Sequence, residues 1–107
     1  MKALKILFLA MDVHVKISNT LIKMGRLAVA NFGDESEQFK QIDHLGDLYC
    51  KYYDTEEFSD FRAFYTAAQE YVPEKTSKGC LKLCRFELSL AISELQRAYI
   101  VSSGISM

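Results

Sequence analysis

A single proline, Pro73, and five scattered glycines, Gly25, Gly33, Gly46, Gly79 and Gly104, are the only strong backbone breakers in 107 residues. Short strands joined by turns need far more punctuation, so this chain is restricted to a few long helices. Half of the residues are apolar and a quarter are charged. That balance supports a packed core and excludes a disordered or collagen-like chain. The length suits one domain, 1–107, with a single core.

In the first third, Lys2, Lys5, Asp12, Lys16, Asn19, Lys23 and Arg26 fall on one polar stripe of a helical wheel. Leu7, Ala10, Leu21 and Phe32 lie opposite, with Met11 and Leu27 alongside. The first helix therefore runs over 2–32 and ends before Gly33. Val13-His14-Val15-Lys16-Ile17 alternates like a strand, but five residues of alternation lose to twenty-five of stripe.

Asp34 with Glu37 has capping-box spacing and opens a second helix over 35–53, with Phe39, Ile42, Leu45 or Gly46, Tyr49 and Tyr53 on its inner face. Asp54 with Glu57 repeats the spacing and opens a third over 55–72, with Phe58, Phe61, Tyr65, Ala68 and Val72 inward. Carried through as one rod, the apolar face would turn by roughly 130° between Tyr53 and Phe58, so the helices break near Asp54. Pro73 stops the third, and Glu74 to Gly79 is a connection with Thr76 or Ser77 as the next cap. The fourth helix covers 79–101. Leu81, Cys84, Leu88, Ala91, Ile92, Leu95 and Tyr99 form its apolar face, broadened by Leu83, Phe86 and Leu90.

Four helices with short connections predict an all-α, antiparallel four-helix bundle-like domain with a long N-terminal helix. That helix would reach about 45 Å, longer than a small domain is wide, so it bends, breaks or overhangs. An overhanging apolar face is most simply covered in a homodimer, and Ala3, Ala10, Ser18 and Gly25 would allow another helix to approach closely.

Charge is segregated along the chain. Residues 1–33 carry a net +4, residues 34–74 a net −8, and residues 75–107 a net +3. Nine of the thirteen aromatics lie in the acidic block, and aromatic anchors ringed by charge describe a protein-binding surface. The functional expectation is a non-enzymatic protein-interaction module, an adaptor, regulator or inhibitor, acting through this acidic hairpin. Tyr52 and Phe64 lie farthest from the inner faces and are the expected exposed anchors, with Glu56, Glu57 and Asp60 beside them. The alternative is nucleic-acid binding, with Lys16, Lys23 and Arg26 neutralising phosphates. Acids at the start of the third helix argue against a recognition helix there.

Other chemistries find less support. Neither His14 nor His44 has a glutamate three residues before it, as a di-metal bundle requires. Cys80 and Cys84, one turn apart, lack the second pair of a zinc site, so no metal or other cofactor is expected. No glycine-rich phosphate loop or nucleophile–base–orienter set occurs. His14, on the apolar face of the first helix, is read as a satisfied core or interface histidine. Three cysteines are too few for a disulfide scaffold, and the apolar run Ile6–Met11 is too short for a secretory leader or a membrane span. A reduced, cytoplasmic protein is expected.

Overall fold

In the computed structural model the backbone is described for residues 2–73 and 80–103, and side chains for 11–73 and 81–97. Four helices occupy this range: α1 (Lys2–Phe32), α2 (Glu37–Thr55), α3 (Phe58–Glu70) and α4 (Cys80–Ser103). No strand occurs among the described residues. The Val13–Ile17 alternation is helical, because Val13 and Ile17 fall four residues apart on one buried face. α1 stays helical for 31 residues and matches the 45 Å long axis of the molecule. It packs most extensively on α4 and next on α2, while α2 packs on α3 and α3 touches α4 lightly. The helices thus form a ring in chain order, a bundle whose backbone is set by α1.

The core follows heptad-like spacing in every helix. Val13, Ile17, Leu21, Met24 and Ala28 come from α1, Ile42, Leu45, Tyr49 and Tyr52 from α2, and Phe61, Phe64 and Ala68 from α3. Leu81, Cys84, Leu88, Ala91, Ile92 and Leu95 come from α4, as the sequence predicts. Tyr71, just beyond α3, is buried and donates its hydroxyl to Oε1 of Gln38 at 2.8 Å, which satisfies both polar groups inside the core.

Several expected faces are displaced. Each middle helix is held between two neighbours, so its buried arc points between them and lies to one side of the arc chosen from apolarity alone. In α2 the arc passes through Tyr52 and leaves Tyr53 exposed. In α3 it passes through Phe64, leaving Phe58 exposed and Tyr65 only partly buried, and Val72, expected inward, is exposed beyond the helix, which ends at Glu70. Leu83, Phe86 and Leu90 do not broaden the buried face of α4 and stand in solvent, and Met11 is likewise exposed on α1.

Both expected capping boxes are replaced by other chemistry. Gly33 has φ +92° and closes α1 with a bond from its N–H to the Val29 carbonyl at 2.9 Å, the left-handed turn that favours glycine. Ser36, rather than Asp34, then caps α2, accepting the Phe39 N–H at 3.1 Å while donating to the Gly33 carbonyl at 2.8 Å. The break between α2 and α3 falls at Glu56 and Glu57, two residues beyond the expected point, and Asp54 is still inside α2. Glu57 is the N-cap residue of α3 but makes no side-chain cap bond. The expected cap at Thr76 or Ser77 and the 74–79 connection, and the side chains of Ala3, Leu7, Ala10, Cys80 and Tyr99, lie outside the described residues.

Candidate interaction site at the helix corner

The corner between α2 and α3 forms because the chain turns within two residues. Glu56 adopts φ 55°, ψ 19° and its N–H bonds the Tyr52 carbonyl at 2.7 Å. This left-handed conformation is normally filled by glycine, and a glutamate there carries about 1 kcal/mol of backbone strain. The Thr55 hydroxyl lies between the Asp60 carboxylate, at 2.5 Å, and the Lys51 carbonyl, at 3.0 Å, and its oxygen accepts the Glu57 N–H at 3.3 Å. Lys51 Nζ reaches the other oxygen of Asp60 at 3.7 Å. Asp60 is therefore engaged within the corner and half-buried, whereas Asp54, Glu56 and Glu57 are exposed.

The expected aromatic anchors are corrected by burial. Tyr52 is 4% exposed and Phe64 is 0% exposed, so both belong to the core and neither can meet a partner. Their ring contacts are internal, Tyr52 on Phe61 and Phe64 on Tyr49, each with centroids 5.3 Å apart. The aromatics that emerge at the corner are Tyr53 and Phe58, at 52% and 53% exposed. Sequence reasoning placed both inward. The signal that would have found them is the 3-4-3 series Ile42, Leu45, Tyr49, Tyr52, repeated by Phe61, Phe64, Ala68, Tyr71.

A cleft of about 450 Å³ runs from the corner between α1 and α2. Met11, His14, Val15 and Ser18 line it from α1, and Tyr49, Cys50, Tyr53 and Asp54 from α2. At its floor the Tyr49 hydroxyl lies 2.7 Å from Nδ1 of His14 and 3.3 Å from the His14 carbonyl oxygen. The proton assignment that uses both contacts has Nδ1–H donate to the phenol oxygen and the phenol donate to the carbonyl. Burial lowers the His14 pKa below its usual value, against an opposing pull from Glu56. Burial also drives the Tyr49 phenol well above its usual value, with Tyr53, Tyr52 and Cys50 adding to the effect. Both groups are neutral near pH 7 and satisfy each other, as expected of a structural link between two helices.

Lys16, Lys23 and Arg26 are all exposed on α1, and Lys16 Nζ pairs with Glu94 of α4 at 3.7 Å. No group of three or more histidine, cysteine or acidic side chains suited to a metal occurs among the described residues. No helix among them is long and apolar enough to cross a membrane. The chain matches no protein-family model, no curated protein and no solved structure.

Proposed function

We propose that this chain is a non-enzymatic interaction module of the reduced cytoplasm, an adaptor, regulator or inhibitor that binds a basic protein surface through its α2–α3 corner. The observation that carries this reading is the emergence of Tyr53 and Phe58 from the corner, each about half exposed, among the exposed carboxylates of Asp54, Glu56 and Glu57. Large aromatics set in a charged rim have the composition of an interface hot spot. The rim selects the partner by charge, because a block of net −8 draws a basic surface and repels an acidic one. The strained Glu56 backbone adds support, since strain of this kind collects where a surface is used.

The test is recovery of the tagged chain with a stoichiometric protein partner at low salt, repeated with Glu56→Lys/Glu57→Lys and with Phe58→Ala. All three sites are exposed, so the helical content of the variants should match the wild type. Partner recovery should fall at least about tenfold for each variant and decline with salt for the wild type. Recovery unchanged by either variant would remove the corner from consideration. Nucleic acid in the eluate without a protein partner would transfer the function to Lys16, Lys23 and Arg26.

A further inference from the structure

The outward face of α1 carries a second pattern that the bundle does not use. Met11, Val15, Ser18, Ile22, Gly25 and Val29 follow one another at spacings of 4, 3, 4, 3 and 4. This is the period of a coiled-coil seam, repeated on a helix whose buried face already serves the core. Met11, Val15, Ile22 and Val29 are each 40–57% exposed, and Ser18 and Gly25 are partly exposed between them. Two depressions sit at the small residues. One is the cleft beside Ser18, and the other, about 440 Å³, lies at Gly25 between α1 and Phe39 of α2.

We propose that this seam is a homodimer interface in which α1 of a second copy packs antiparallel, about a two-fold axis that passes midway between Ser18 and Ile22. In that register Ile22 of each copy faces the hole at Ser18 of the other, Val15 faces the hole at Gly25, and Met11 meets Val29. Large side chains oppose small ones in the central layers, the condition for knobs to enter holes. A parallel, in-register pair would set Ser18 on Ser18 and Gly25 on Gly25 and leave voids at both. Charge supports the same choice. The antiparallel register brings Asp12 of each copy beside Arg26 of the other, giving two symmetric ion pairs at the rim. Both residues are exposed, and neither forms an ion pair among the described residues. The seam borders Tyr53 and Asp54 of the corner across the shared cleft, but Glu56, Glu57 and Phe58 do not line that cleft, so the corner variants and Ile22→Glu test the two proposals separately.

Sedimentation equilibrium of the full chain tests it, with a dimer expected at twice the 12.2 kDa chain mass. Ile22→Glu places two charges in the central layers of the dimer and should raise its dissociation constant at least about tenfold. Ile22 is exposed, so the helical circular dichroism of the variant should be unchanged. Asp12→Arg should weaken the dimer, and Asp12→Arg/Arg26→Asp should restore it by exchanging the signs. A monomer at all accessible concentrations, a dimer indifferent to Ile22→Glu, or a charge exchange without rescue would each overturn the proposal. Rescue by the double exchange would establish the antiparallel register.

Discussion

The Tyr49 hydroxyl stands 2.7 Å from Nδ1 of His14, and this bond joins α1 to α2 at the floor of their cleft. Tyr49→Phe keeps the ring and its packing on Phe64 but removes the partner of a half-buried imidazole nitrogen. The loss should be about 1–2 kcal/mol in a urea titration, with an unchanged slope. That corresponds to a fall of at least about 4 °C in melting temperature. A loss of only a few tenths of a kcal/mol would show that water replaces the phenol without penalty.

Acidification should act through the same histidine. In the unfolded chain a histidine titrates near pH 6.5, and burial lowers the value for His14 in the fold. Between the two values the unfolded chain binds more protons, so stability rises with pH across that window. The His14 contribution is complete above about pH 6.5 and is lost progressively as the pH falls towards the folded value. Comparing urea midpoints at pH 7.5 and 5.5, His14→Gln should show a smaller drop than the wild type. An equal drop would assign the acid sensitivity to other groups.

The fold was largely legible because helix existence depends on local signals. Among the described residues, the stripe of Asp12, Lys16, Asn19, Lys23 and Arg26 on α1 is exposed and the face of Leu81, Cys84, Leu88, Ala91, Ile92 and Leu95 on α4 is buried, as expected. The corner was legible as a break but not as a surface. Tyr52 and Tyr53 are adjacent, and so are Phe64 and Tyr65; which of each pair turns inward depends on where the neighbouring helices stand. A wheel reports that an apolar arc exists, whereas the bundle decides which edge of it is covered. Cap identity failed for a related reason, since the left-handed turn at Gly33 delays the start of α2 until Ser36.

The exchange of anchors yields a direct comparison. Phe64→Ala should cost about 3–5 kcal/mol, because a fully buried ring leaves a cavity among Tyr49 and its neighbours. Phe58→Ala, at a half-exposed ring, should cost under about 1 kcal/mol. Thermal unfolding of the two variants side by side measures the difference. Equal losses would place Phe58 in the core and withdraw it as a contact residue.

Glu56 joins stability and binding in one residue, with opposite signs. Replacing it by glycine relieves the left-handed strain but adds freedom to the unfolded chain, for a net gain of up to about 0.5 kcal/mol. The same change removes one carboxylate from the acidic rim, so partner recovery should fall as the melting temperature rises. Glu56→Gln separates the two effects, because glutamine keeps the strained left-handed backbone while lacking the charge. It should bind as weakly as the glycine variant. If both variants bind like the wild type, the Glu56 carboxylate is not a contact. If the glycine variant is less stable, the side chain contributes more to the corner than its strain removes.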